Sequence, residues 1–221
     1  MTTFEDFKEH FEKFSKIDTD EKLTFVRKQY EMHLLHTEDE KYFEPIEQKS
    51  NNDDYNTHLK RIFQFNKLKD NQIYFLIKPS FTPENLLIVE QLQEKYLLTH
   101  IMLSKNFWSA WNVDNQILDL AKTNIAVELN KSIGDKLFTL LQQTVINAKT
   151  PDAKTIVLDG IVYSITKLVN GEQITVTKHS PDNASRSGKI IAAMQQLIDN
   201  IGKLTNDVLI DIEIKISNLQ E

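Results

Sequence analysis

The chain has 221 residues, 40% of them hydrophobic and 26% charged, with a formal net charge of −6 and no cysteine. That balance suits one globular core with an appendage and excludes a chain too polar to fold. The missing thiols exclude disulfides, thiol catalysis and thiolate metal sites, and the negative field opposes binding to a phosphate backbone.

The opening Met1 to Lys8 lacks the basic start and apolar core of a signal peptide, and no apolar run approaches the ~18 residues of a membrane span. A cytoplasmic protein without a cofactor is expected, with a protein partner rather than a membrane or a nucleic acid. Phe4, Phe7, Phe11, Phe14 and Ile17 recur at spacings of three and four, which predicts an amphipathic helix, and Thr3 with Asp6 reads as its capping box. Asp18-Thr19-Asp20 restarts a helix whose Leu23, Val26, Tyr30 and Leu34 form a matching stripe, so 1–46 reads as a helical hairpin. The polar run 47–57, with Ser50-Asn51-Asn52-Asp53-Asp54, reads as a linker, and 58–221 as an α+β domain. Residues 58–70 fit helix and strand equally.

Gln72 to Phe81, Leu86 to Leu92 and Tyr96 to Ser104 predict three strands in an antiparallel meander, with a fourth strand inside Gln116 to Leu129. Lys131 to Ala148 carries Ile133, Leu137, Leu140, Leu141 and Val145 on one face, which predicts a helix stopped before Pro151. Ile156-Val157-Leu158 then turns or bulges at Asp159-Gly160 and resumes as Ile161 to Val169. Asn170-Gly171 predicts a type I′ hairpin, because both central residues of that turn need positive φ, and Glu172 to His179 is the return strand. Ser180 as N-cap and Pro181 at the first helical position predict a helix through Ile201, with Gly202 as its stop. In the tail, 207–217, Val208, Ile210, Ile212, Ile214 and Ile216 alternate at period two and favour a strand, although Val208, Ile212, Ile216 and Leu219 would also line a helix. The fold expected is α+β: an antiparallel sheet of about six to seven strands with the helices at 131–148 and 182–201 packed on one face, preceded by the N-terminal helical hairpin.

Pro79-Ser80-Phe81-Thr82-Pro83-Glu84, Asn106-Phe107-Trp108, Leu158-Asp159-Gly160 with Tyr163, and His179-Ser180-Pro181 ahead of a helix resemble the marks of a loose set of small bacterial α+β proteins. The resemblance covers roughly residues 72–202 and implies the architecture, with no activity attached.

Few residues carry chemistry. His33 and His36 lie three apart on a helix and could share a metal, but no third ligand is forced to converge, and exposed histidines near a helix end explain the pattern as well. Arg27 with His33 fits a loose pattern of helical ribonucleases, which would need a helical bundle over most of the chain. Ser187-Gly188-Lys189 is not a phosphate loop, because Asn183 stands where its first glycine should be and Ile190 where a hydroxyl should hold magnesium. Lys178, His179 and Arg186 remain as a candidate anion-binding set at the strand-to-helix junction, with His179 as its acid/base. Phe107, Trp108 and Trp111 are candidate contacts for a protein partner, weighed against filling the space where sheet meets helix. The expected function is non-enzymatic protein binding, of the inhibitor or immunity type, toward a basic partner. The alternative is an anion-binding hydrolase or nuclease using the junction at 178–186.

Overall fold

The computed structural model describes residues 3–46, 54–111, 120–152 and 160–220. Two helices come first, α1 (Phe4–Glu12) and α2 (Asp20–Asp39). The capping box forms as expected, with the Asp6 N–H donating to Thr3 Oγ1 and the Thr3 N–H donating to Asp6 Oδ2 at 3.0 Å. The first helix ends five residues short of its expected stripe, which leaves Phe14 81% exposed in the turn between the helices.

After the two-residue strand β1 (Glu44–Pro45), α3 (Asp54–Ile62) and a 3₁₀ turn at Phe65–Lys67 occupy the stretch that fitted helix and strand equally. Residues 47–53 of the expected linker lie outside the described residues, and 54–57 are the first turn of α3. The meander follows as β2 (Gln72–Pro79), β3 (Asn85–Gln91) and β4 (Lys95–Leu103). A single helical turn, α4 (Phe107–Ser109), precedes β5 (Lys122–Asn130), which runs directly into α5 (Lys131–Ile146). The hairpin of β6 (Ile161–Val169) and β7 (Glu172–His179) turns at Asn170 and Gly171, with φ of +53° and +82° as a type I′ turn demands. The expected strand at Ile156-Val157-Leu158 and the turn residue Asp159 lie outside the described residues.

The seven strands form one sheet in the order β1-β7-β6-β2-β3-β4-β5, with every pair antiparallel. Central β2 is buried on both faces. On the first face Ile73, Phe75, Ile77, Leu87, Val89, Leu98, Ile165 and Val176 pack against α5, α6 (Arg186–Asn200) and α7 (Asn206–Ser217). On the second, Tyr74, Leu76, Leu86 and Leu103 pack against α3, the 3₁₀ turn and Phe107. The helices at 131–146 and 186–200 share one face as expected, and α7 joins them.

Two local expectations need correction. The tail at 207–217 is helix α7 and not a strand. Ile212 and Ile216 are fully buried, whereas Ile210 and Ile214 are half exposed, so the residues spaced by four do the packing. Thr205 caps the helix and an Asp211–Lys215 pair at 2.7 Å braces it at i, i+4. The helix expected at Ser180-Pro181 begins instead at Arg186, where Ser185 Oγ accepts the Gly188 N–H at 3.0 Å. Ser180 sits at φ +39°, and its hydroxyl accepts the Ile161 N–H at 3.0 Å, so it closes the end of the sheet. Among the described residues no helix is long and apolar enough to cross a membrane.

Candidate functional site

Strand alternation separates Lys178 from His179. Lys178 stands opposite Tyr163 and faces the helical layer, whereas His179 stands opposite Val162 and faces the other side. Lys178 is buried, and its Nζ donates to the Asp39 carbonyl at 3.0 Å while lying 3.3 Å from Glu44 Oε1 and 3.5 Å from Glu40 Oε1. The C-terminal carbonyls of a helix have no intrahelical donors. At the end of α2 this lysine serves the Asp39 carbonyl, and the Ser187 hydroxyl donates to that of Glu40 at 2.5 Å. The Glu40 carboxylate accepts the Asp182 N–H at 3.0 Å, so the junction bolts the helical hairpin onto the sheet. Arg186 is engaged elsewhere, its Nη2 donating to the Leu219 carbonyl at 2.8 Å. The anion-binding set therefore does not assemble: of Lys178, His179 and Arg186, only His179 lines a cleft.

That cleft, about 400 Å³, opens on the second face at the end of the sheet and is lined by Tyr55, Lys78, Pro79, Ser80, Phe81, Trp108, Gly160, Val162 and His179. Its floor is a small hydrogen-bonded knot. The Ser80 N–H and hydroxyl both donate to the Gly160 carbonyl, at 3.1 and 2.8 Å, and the Gly160 N–H donates back to Ser80 Oγ at 3.2 Å. Gly160 has φ +148°, and a Cβ there would fall 2.0 Å from Ser180 Oγ, so the approach of these two segments requires glycine. Segments far apart in the sequence, Pro79-Ser80-Phe81, Trp108, Gly160 and His179-Ser180, thus meet around one opening.

The aromatic wall is set by a buried acid. Glu84 is fully buried, with Oε2 accepting the Phe107 N–H at 2.7 Å and Oε1 accepting the Tyr55 hydroxyl at 2.8 Å. Burial raises its carboxyl above the usual glutamate range, against the lowering effect of these hydrogen bonds. Asn106 fixes the same turn, its Nδ2 donating to the Thr82 carbonyl at 2.8 Å and its Oδ1 accepting the Ser109 N–H at 2.9 Å. The turn buries Phe107, which lies parallel to Trp111 at 5.9 Å. Trp108 stands at the rim, edge-on to Tyr55 at 5.6 Å and to Trp111 at 5.8 Å. Of the three candidate aromatics, Phe107 is core, Trp111 is partly covered, and Trp108 is 53% exposed beside a Phe81 that is 83% exposed.

Burial is the main cause that holds His179 below the ordinary imidazole pKa; Glu44 opposes it and Lys78 adds to it. The imidazole is therefore harder to protonate than a free one, which suits it to a hydrogen bond more than to holding an anion. The two other histidines of interest are also accounted for. His33 stacks on Phe7 at 5.4 Å, and His36 Nε2 lies 3.8 Å from Glu40. Arg27 sits over the Phe4 ring at 5.7 Å. Among the described residues no three His, Cys, Asp or Glu side chains converge as metal ligands. A larger hollow of about 560 Å³ runs between β6 and α6, but its charged lining is Asp199 alone.

Sequence reasoning reached Trp108 and His179 and missed Tyr55, Lys78, Ser80 and Gly160 as their neighbours. Phe81 carried the missed signal: a large aromatic in a loop between Pro79 and Pro83 has no strand or helix to bury it. The chain matches no family model, no curated protein and no solved structure among those compared.

Proposed function

We propose that this chain is a non-enzymatic protein-binding module, of the inhibitor or immunity type, that seats an apolar or aromatic side chain of a basic partner protein between Phe81 and Trp108. One observation carries the reading: two large aromatics stand exposed at the mouth of a 400 Å³ cleft whose floor and walls are pinned by hydrogen bonds between side chains and backbone. Aromatic anchors in preformed pockets dominate protein interfaces, and rigid rings lose little entropy on binding. The net charge of −6 favours encounter with a basic surface, an effect on association rate that salt weakens.

The test is co-purification from the source cell at low salt, followed by titration of the partner so recovered. The wild-type chain should recover one partner in stoichiometric amount. Phe81→Ser with Trp108→Ser should weaken that complex by a factor of about 30 or more, since a hot spot is worth about 2 kcal/mol and each 1.4 kcal/mol is tenfold. Phe81 is 83% and Trp108 53% exposed, and an unchanged circular dichroism spectrum of the double variant distinguishes a lost contact from a lost fold. Failure to recover a partner, or a double variant that holds it as tightly as wild type, would end the proposal.

A further inference from the structure

The two edges of the sheet are treated differently. At one edge β1 is two residues long, contains Pro45 and lies beside the end of α2, which is how natural proteins blunt an edge against further pairing. Among the described residues the other edge is β5, which runs for nine residues without proline or glycine. Its nine pairs with β4 are in unbroken one-to-one register, so no bulge twists it away. Lys122, Thr123, Asn124, Ile125 and Ala126 are all exposed. Thr123, Ile125, Val127 and Leu129 share the face of Met102, His100, Leu98 and Tyr96 on β4, and this row of the edge carries no charge; on the other row Lys122 reaches back to the Ile62 carbonyl and Glu128 pairs with Lys95. Ile125 and the adjacent Met102 are each 42% exposed, beside a hollow of about 270 Å³ between β5 and the 3₁₀ turn Ile201–Lys203.

We infer that the β5 edge pairs with the β5 edge of a second copy of this chain, antiparallel about a two-fold axis at Ile125, joining two seven-stranded sheets into one. The sequence of the strand fits this register. Lys122, whose Nζ also donates to the Ile62 carbonyl at 2.5 Å, falls opposite the partner's Glu128, and Glu128, which also pairs with Lys95 of its own chain, falls opposite the partner's Lys122, so opposite charges meet at both ends of the pairing. Thr123 falls opposite the partner's Val127, Asn124 opposite the partner's Ala126, and Ile125 opposite itself. No like charges meet, and the most exposed apolar side chain of the edge is covered by its own symmetry mate. Directly opposite residues in a sheet share a face, so the helical layers of both copies lie on the same side of the joined sheet. The ion pairs are at the surface and fix the register more than they add affinity. The inference is independent of the aromatic cleft, which lies on the opposite face and includes no β5 residue.

The absence of cysteine makes the test direct. Sedimentation of the wild-type chain at tens of micromolar should give twice the 25.7 kDa chain mass, and Ile125→Lys should give the single chain mass with an unchanged circular dichroism spectrum. Ile125→Cys under mild oxidation should form a disulfide-linked dimer, because opposed Cα atoms in an antiparallel pair lie about 4.5–5.5 Å apart, within disulfide reach. Thr123→Cys, on the same face, should not, because its symmetry mate lies four residues, or about 13 Å, along the partner strand. A monomeric wild type, a dimer that survives Ile125→Lys, or Thr123→Cys cross-linking as readily as Ile125→Cys would each overturn the inference.

Discussion

Replacing glycine by alanine inside a helix ordinarily stabilises a protein, and at Gly134 the structure reverses that sign. Gly134 lies in the first turn of α5, against the ring of Tyr96 on β4, and a Cβ at this position would fall 2.0, 2.4 and 2.7 Å from three ring carbons. Tyr96 has nowhere to go: it is 1% exposed, packs against Phe138, and its hydroxyl donates to Asp135 Oδ1 at 2.7 Å. The helix gains about 1 kcal/mol from the lost glycine entropy. Against this, forcing a methyl into a filled core costs up to about 3 kcal/mol, and displacing the phenol costs about 1 kcal/mol more for its hydrogen bond. Gly134→Ala should therefore lose about 3 kcal/mol, read as a fall in Tm of about 6–12 °C for a chain of this length. Gly202→Ala is the control, since nothing lies within 4 Å of a Cβ there, and it should be neutral or slightly stabilising. Urea titrations of the two variants, with Tyr96→Leu introduced into each background, would show a favourable coupling only between positions 96 and 134. A Gly134→Ala protein as stable as wild type would refute the packing argument.

Three further substitutions test other parts of the structure. Ser164 is buried on the second face with its hydroxyl unpartnered among the described residues, so Ser164→Ala should raise stability by about 1 kcal/mol in a urea titration, by removing an unrewarded desolvation. Lys178→Met should lose about 3 kcal/mol or more, because it leaves the Glu40 carboxylate and the Asp39 carbonyl at the end of α2 without their cation, and hydrogen exchange should quicken at 39–46 before the rest of the sheet. Glu84 makes stability depend on pH in the direction opposite to a salt-bridged carboxylate. Its folded pKa is raised above the unfolded one, so the native state binds the proton more tightly, and its contribution is complete below the unfolded pKa and lost as pH rises through the folded pKa. Wild type should lose stability over that window relative to Glu84→Gln, and parallel pH profiles for the two proteins would contradict the assignment.

The elements most legible in the sequence were those whose signal is purely local. The Thr3–Asp6 box and the Asn170-Gly171 turn are specified by backbone geometry that few residues satisfy, and both formed where expected. The tail failed for a definite reason: Val208 to Ile216 satisfies period two and period four together, and the choice lay with its surroundings. A helix there brings Ile212 and Ile216 together against α5 and α6, whereas a strand would turn Val208, Ile210, Ile212, Ile214 and Ile216 all to one side and leave that helical layer without its stripe. The start of α6 failed in a similar way. Ser180-Pro181 is a sound helix opening in isolation, but the Ile161 N–H at the end of β6 needed an acceptor, and Ser180 supplied it. The site was less legible than the fold, because its residues come from α3, β2, the Pro79–Glu84 loop, α4, Gly160, β6 and β7, brought together by pairing registers and by the long-range hydrogen bonds of Glu84.

Those registers also decide how two adjacent residues of β7 divide the work. With Tyr163 opposite Lys178 and Val162 opposite His179, the ammonium enters the helical layer and meets the end of α2, while the imidazole enters the aromatic cleft. A slip of one residue between β6 and β7 would exchange the two, burying a lysine beside Tyr55 and Trp108 and taking the ammonium away from the Asp39 carbonyl and the Glu40 and Glu44 carboxylates. The turn at Asn170-Gly171 forbids that slip, because its two left-handed residues fix the hairpin length. Asn170→Ala should therefore do more than strain one turn: by weakening the register it should loosen the hold on α2 and the cleft together. Hydrogen exchange at 39–46 and the fluorescence of Trp108 should both respond in Asn170→Ala and both recover in Asn170→Gly, since glycine adopts the positive φ of position 170 at no steric cost. A variant in which only the turn itself exchanges faster would show that the face of each residue is set by the layers it packs against and not by the hairpin.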